Sequence, residues 1–119
     1  MNSRELMENI VKYMDSKKAS EIKVLDISNV TTMADYFVIC HGNSGPQMKA
    51  ICEEIEDKLA ELDIHPLGRE GMSGAYWTLM DYSEVIVHIF NSESREFYSI
   101  ENLWTDATEV DISGIITED

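Results

Sequence analysis

The chain has few of the residues that usually hold metal sites or disulfide frameworks together. Only two cysteines, Cys40 and Cys52, and two prolines occur in 119 residues. Cys40 lies in an apolar run and Cys52 at a helix-core spacing, so we expect two buried packing residues in a reducing compartment. The sequence contains no Cys-x-x-Cys or His-x-x-x-His pattern. It therefore predicts no metal site.

Basic residues are also scarce. Nine Lys and Arg residues stand against 23 Asp and Glu residues, which gives a formal net charge of −14. This charge repels phosphate backbones, so it argues against nucleic acid as the primary contact, and it favours rapid encounter with a basic partner. The alternative is that the charge serves only solubility, and composition leaves both interpretations open.

Long apolar runs are absent as well. No run approaches the roughly 20 residues of a membrane span. The first twenty residues are amphipathic and include Glu5, Glu8 and Asp15, which argues against a secretory signal or a transit peptide. We expect a cytoplasmic protein without membrane contact. With 44% hydrophobic residues, the chain is expected to form one folded core.

The apolar periodicity predicts an α/β fold, a mixed β-sheet flanked by helices. Helices are predicted over residues 1–16, from the break at 42–46 to about residue 62, and over 92–98. Strands are predicted over 21–27 and 35–41, and as a hairpin within 75–90 that turns at 82–84. The 35–41 run is almost wholly apolar, which is typical of a strand covered on both faces. Asn2 or Ser3, and Ser44 with Gln47, are predicted to cap the first two helices.

The hairpin contains the candidate partner-binding residues. Side chains alternate along a strand, so Trp77, Leu79 and Asp81 share one side of the sheet, here named the Trp77 face. Tyr82, at the turn, is expected to extend this face. Trp, Leu and Asp together are typical of a docking surface, although a core position for Trp77 is equally compatible with the sequence.

Residues that could perform catalysis are poorly placed for it. The Gly42-Asn43-Ser44 turn precedes a helix and could hold an anion, but a helix cap is the simpler interpretation. His88 lies in mid-strand between Ile86 and Phe90 and is expected to be a hydrogen-bonded core residue. Asp81 has no second carboxylate two positions away on its strand face, so paired acids for phosphoryl transfer are missing there. We predict no catalytic residues and no cofactor.

Several short motifs follow one another along the chain. They are Asp35-Tyr36-Phe37-Val38-Ile39, Gly42-Asn43-Ser44, Trp77-Thr78-Leu79-Met80-Asp81-Tyr82, Val85-Ile86-Val87-His88-Ile89-Phe90, Arg95-Glu96-Phe97-Tyr98, Leu103-Trp104 and Asp106-Ala107. In this order they resemble the ribosomal silencing factor family, the Iojap-related proteins, from about residue 4 to Ala107. Two departures from the family pattern are Gly45-Pro46 after Asn-Ser, and Ser83-Glu84 in a turn that commonly contains glycine.

The resemblance implies both a fold and a function. The fold would be similar to that of nucleotidyltransferases, without their catalytic acids. The function would be translational repression, in which the protein binds protein fourteen of the large ribosomal subunit and blocks joining of the small subunit. Members of the family are often homodimers when free. This chain would then be a non-enzymatic regulator.

Two other functions stay open at this point. The chain could be a nucleotidyltransferase-like enzyme that uses the Gly42-Asn43-Ser44 turn, or a dimeric adaptor with an unrelated partner. The predicted domain division is a silencing factor domain over residues 1–107 and an acidic C-terminal tail over 108–119. The last ten residues are expected to be loosely ordered.

Overall fold

The computed structural model describes residues 1–71, 77–92 and 106–116. The elements in these parts are α1 (Ser3–Ser16), β1 (Ser20–Asp26), β2 (Tyr36–Gly42), α2 (Gly45–Glu61), β3 (Gly68–Gly71), β4 (Trp77–Asp81), β5 (Val85–Asn91) and β6 (Thr108–Val110). The strands form one sheet in the order β3-β4-β5-β2-β1-β6. The β2–β5 pair is parallel and the other neighbouring pairs are antiparallel. The predicted mixed α/β sheet is confirmed.

Both helices begin where the sequence provides a capping side chain. Asn2 Oδ1 accepts a hydrogen bond from the Glu5 amide at 2.8 Å, and the two residues form a capping box. Ser44 Oγ accepts from the Gln47 amide at 3.2 Å. The Gln47 side chain does not complete a second capping box, because its Oε1 accepts from the Asn43 amide at 2.7 Å and not from the amide of Ser44. Its Nε2 donates to the Lys18 carbonyl oxygen at 2.9 Å. Gln47 therefore ties the end of α1 to the start of α2.

The two helices pack side by side on one face of the sheet. Their buried side chains meet those of the strands in the larger core cluster, which includes Leu6, Met7, Ile10, Val11, Met14, Met48, Ile51, Cys52, Ile55, Leu59, Val24, Val38, Cys40, Met80, Val87 and Ile89. Both cysteines are buried, as predicted. β2 lies between β5 and β1, with side chains buried toward both faces, which confirms the prediction from its apolar run.

A second cluster lies on the opposite face of the sheet. Its buried members are Leu25, Ile27, Ala34, Phe37, Ile39, Ile86 and Phe90, and the half-buried Trp77, Leu79 and Ala107 pack against them. These residues alternate with the helix-side residues along the strands, as the period of two requires. Neither α1 nor α2 contributes to this cluster, so the two helices leave this face of the sheet to other contacts.

The end of β2 lies very close to α2. A Cβ atom at Gly42 would lie 2.8 Å from Met48 Cγ and 3.2 Å from Met48 N. We expect Gly42→Ala to lower the free energy of unfolding by about 1–3 kcal/mol, because backbone and a buried side chain must both shift. Urea denaturation measures the change. Gly45→Ala is the matched control: apart from its chain neighbours and the backbone of α2, no atom of the described residues lies within 4 Å of its added Cβ, so a comparable loss of stability there would contradict this explanation.

The C-terminal part of the chain takes part in the sheet and the core. The expected loose order of the last ten residues is wrong for residues 110–116. β6 pairs with β1 through Val110↔Val24, and Ile112 is buried in the helix-side core. The predicted helix over 92–98 lies outside the described residues beyond Ser92. The boundary at residue 107 stays a prediction. Within the described residues, no helix is both long and apolar enough to cross a membrane.

Candidate functional site

The β4–β5 hairpin positions the candidate binding residues. β4 pairs with β5 in antiparallel register, so that Trp77 lies opposite Phe90, Leu79 opposite His88 and Asp81 opposite Ile86. Burial alternates along β4, where Trp77, Leu79 and Asp81 are half-buried while Thr78 and Met80 are buried. The three predicted residues thus share one side of the sheet, and it is the side opposite α1 and α2.

Trp77 is partly a core residue and partly accessible. Its indole stacks on Phe90 with ring centroids 5.1 Å apart and planes at 22°. Its Nε1–H donates to His88 Nδ1 at 3.2 Å. The sequence left a core and a contact position open for Trp77, and the half-buried ring fits both. The indole packs against the sheet and is half-buried, so that part of the side chain stays accessible to solvent.

His88 is the buried polar residue beneath the Trp77 face. It is 3% exposed, and the Phe37 ring meets it edge-to-face at 4.8 Å. Burial lowers the pKa of His88 to about 4, so the ring is neutral at physiological pH. Because Nδ1 accepts from Trp77, the proton of the neutral ring lies on Nε2. The prediction of a hydrogen-bonded core histidine is confirmed.

The structure changes the predicted role of Tyr82. The Tyr82 side chain is 6% exposed and belongs to the helix-side cluster, with Met80 and Val85. Burial also raises the pKa of its hydroxyl. The expectation that Tyr82 extends the Trp77 face is therefore wrong. The alternation that places Asp81 on one side of the sheet places the next residue on the other.

Asp81 contributes to the turn as well as to the Trp77 face. Its Oδ1 accepts a hydrogen bond from the Ser83 amide at 2.7 Å. Ser83 has a positive φ of 71°, a backbone conformation that the Asp81 hydrogen bond helps to hold. A carboxylate has two oxygens, so this contact leaves Asp81 able to pair with a basic group of a partner.

Among the described residues, the cavity at the start of α2 has no acidic lining of the kind that phosphoryl transfer needs. Ser44 caps the helix, as the simpler interpretation of the Gly42-Asn43-Ser44 turn predicts. A cavity of about 340 Å³ lies beside it, with described lining residues Gly45, Met48, Lys49, Cys52, Arg69 and Thr78. None of these is acidic, and no group of three or more His, Cys, Asp or Glu suited to a metal ion occurs within the described residues. This arrangement offers no carboxylate pair for a catalytic metal.

We expect no nucleotide turnover. Incubation of purified protein with nucleoside triphosphates and magnesium should give no product above buffer, because the cavity beside Ser44 presents no acidic lining among the described residues. Chromatography of the nucleotides is the measurement. The control is Ser44→Ala, which removes the helix cap. Reproducible turnover that Ser44→Ala abolishes would contradict this prediction and support the enzyme alternative.

The chain is similar to known proteins over its full length. The family model "Ribosomal silencing factor during starvation" matches residues 1–119. The ribosomal silencing factor of Halalkalibacterium halodurans is 38% identical over 98% of this chain and 100% of its own length. That of Bacillus subtilis is 39% identical over 94% of this chain and 95% of its own. A crystal structure of a protein from Chromobacterium violaceum has a TM-score of 0.84 at 30% identity and covers 88% of each chain.

Proposed function

The chain belongs to the ribosomal silencing factor family, and from this premise we propose that it regulates translation on the ribosome. In this proposal it binds protein fourteen of the large ribosomal subunit and blocks joining of the small subunit. The protein acts by occupying a surface, without catalysis. The observation that carries the proposal is the accessible part of the Trp77 face, on the side of the sheet opposite α1 and α2.

The composition of the Trp77 face supports a protein partner. Trp77 supplies a large, rigid aromatic surface, and residues of this type tend to carry most of the energy of an interface. Leu79 adds apolar area beside it, and Asp81 adds a negative charge at the edge. Such a surface fits a partner that presents an apolar patch bordered by lysine or arginine.

The overall charge supports a basic partner. A net charge of −14 opposes contact with ribosomal RNA and attracts a basic ribosomal protein. The protein would therefore bind a protein component of the ribosome and avoid primary contact with nucleic acid. A cytoplasmic location and a homodimeric free form belong to the same proposal, and light scattering of the purified protein tests the second.

Binding to separated ribosomal subunits tests the proposed function. We expect the protein to co-sediment with isolated large subunits and to leave small subunits unbound. Addition of saturating protein before mixing the two subunits should reduce the fraction that joins, as measured on a density gradient. Absence of binding to large subunits would contradict the proposal and favour an adaptor with another partner. Binding without an effect on joining would contradict only the blocking step.

The association rate should depend on salt. Long-range attraction between an acidic protein and a basic one accelerates encounter, and salt screens it over about 10 Å at roughly 0.1 M. Stopped-flow measurements at low and moderate salt should therefore show a falling rate. Asp81→Asn should weaken this dependence, since asparagine keeps an acceptor for the Ser83 amide but removes the charge.

The control for the salt dependence is Asp57→Asn on the exposed side of α2. Asp57→Asn changes the net charge by the same amount as Asp81→Asn, but at a position away from the Trp77 face. It should therefore alter the salt dependence of the association rate less than Asp81→Asn does. A rate that does not change with salt would mean that the charge of the protein is not used in docking.

A further inference from the structure

We propose that His88 is a positioning residue for partner binding: it selects the orientation in which Trp77 presents its indole ring on the Trp77 face. This proposal rests on the proposed function, because the orientation matters only if the Trp77 face binds a partner. His88 itself is 3% exposed and is not expected to touch the partner.

Stacking alone does not fix the indole. Trp77 packs on Phe90 at 5.1 Å with planes at 22°, and the His88 ring lies nearly parallel to Phe90, at 9°. The torsion that rotates an indole about its Cβ–Cγ bond has a broad, roughly two-fold preference. A half-turn keeps a flat ring on the stack but exchanges its N–H edge with its opposite edge. The stack on Phe90 by itself therefore restrains the plane of the indole, but it does not determine which edge of the indole faces His88.

The hydrogen bond to His88 removes this ambiguity. His88 lies diagonally across from Trp77, since β5 pairs it with Leu79. Its Nδ1 accepts from Trp77 Nε1–H at 3.2 Å, which only one of the two indole orientations allows. The ring is neutral because burial lowers the pKa of His88, so the Nδ1 lone pair is available at physiological pH. The N–H edge thus points into the protein, and the six-membered ring is presented in one direction.

A histidine at this position is a poor choice for stability alone. Its Nε2 is buried without a hydrogen-bond partner among the described residues, and an unsatisfied buried donor is unfavourable. The surrounding cluster of Phe37, Ile86 and Phe90 is apolar. Leucine would pack there without the unpaired Nε2, at the loss of the hydrogen bond to Trp77. A residue that orients its neighbour at some cost in stability is expected where the side chains of a binding surface are fixed before the partner binds.

The test compares binding and stability in His88 variants of the full chain. His88→Leu removes the acceptor and should weaken binding to large subunits roughly tenfold or more, while the melting temperature stays equal or rises. His88→Asn places an amide oxygen near the position of Nδ1 and should recover binding to within about threefold of the original. Binding is measured only under conditions in which circular dichroism shows that each variant is folded.

A second pair of variants, made in Trp77→Phe protein, separates the effect of indole orientation on binding from the effect of general packing. Phenylalanine at position 77 has no N–H and looks the same after a half-turn, so His88 has nothing to select. In Trp77→Phe protein, the further change His88→Leu should alter binding less than about twofold. In parallel, nitrogen-15 NMR should show slow exchange of the Trp77 indole N–H in the original protein and His88→Asn, and faster exchange in His88→Leu.

The outcomes distinguish this proposal from the function on which it rests. Undiminished binding by His88→Leu overturns the positioning role and leaves the proposed function standing. An equal loss in the Trp77→Phe background also overturns it, because the effect would then not act through the indole. If the original protein does not bind large subunits, both proposals fail. If His88→Leu does not fold, His88→Asn is compared with His88→Gln, whose amide lies beyond the Nδ1 position; equal binding by these two overturns the proposal.

Discussion

Replacement of Trp77 by alanine is expected to weaken binding to the large ribosomal subunit by roughly thirtyfold or more, the loss typical of an aromatic residue at the centre of an interface. The same change removes the stack on Phe90 and the hydrogen bond to His88. Because the indole is half-buried, we expect the free energy of unfolding to fall by about 1–3 kcal/mol, less than for a fully buried tryptophan. Co-sedimentation below the melting temperature of the variant measures the binding.

Leu62→Ala is the matched control for Trp77→Ala. Leu62 is 50% exposed and follows α2, which packs on the opposite side of the sheet. It loses an apolar side chain without touching the Trp77 face, so both binding and stability should stay close to those of the original protein. If folded Trp77→Ala protein binds large subunits normally, the Trp77 face is not the contact surface.

Acidification is expected to destabilise the protein through His88. The pKa of His88 in the folded protein is lowered from 6.5 to about 4 by burial. As pH falls, the unfolded chain therefore takes up the proton first, so stability is complete above the unfolded pKa of 6.5 and declines toward about pH 4. The expected loss between roughly pH 7 and 5 is about 2 kcal/mol. Urea denaturation at several pH values measures it.

Two histidine variants isolate this contribution from that of the carboxylates. His88→Leu removes the buried group, so its stability should change little between roughly pH 7 and 5. His65→Gln replaces an exposed histidine that contacts Asp63 at 3.3 Å, and it leaves the buried His88 in place, so most of the pH dependence between roughly pH 7 and 5 should persist. Identical pH profiles for the original protein and His88→Leu would show that burial of His88 does not govern acid stability.

Local patterns predicted much of this fold because the signals lie within short segments. The apolar run of β2, the caps at Asn2 and Ser44, and the hairpin turn each depend on neighbours a few residues away. Alternation also placed Trp77, Leu79 and Asp81 correctly on one side of the sheet. The same alternation, carried one residue further into the turn, places Tyr82 on the helix side of the sheet.

What the sequence does not reveal comes from contacts between neighbouring strands. The hydrogen bond between Trp77 and His88 runs diagonally across β4 and β5, and residue spacing alone does not specify how the two side chains are oriented. The sequence does not reveal β6, because Thr108-Glu109-Val110 resembles the rest of an acidic tail. Its strand conformation comes from pairing with β1, more than eighty residues earlier in the chain.

The pairing of β6 with β1 has a consequence for aggregation. An open strand edge offers unpaired amides and carbonyls to other chains, and natural sheets cover or distort such edges. β6 covers the regular stretch of β1 from Val24 to Asp26. The rest of β1 is irregular, with a register shift after Ser20 and a positive φ of 48° at Glu21. Until residues 108–110 have left the ribosome during synthesis, the nascent sheet therefore carries an unprotected edge, and a chain that ends before them should be prone to self-association.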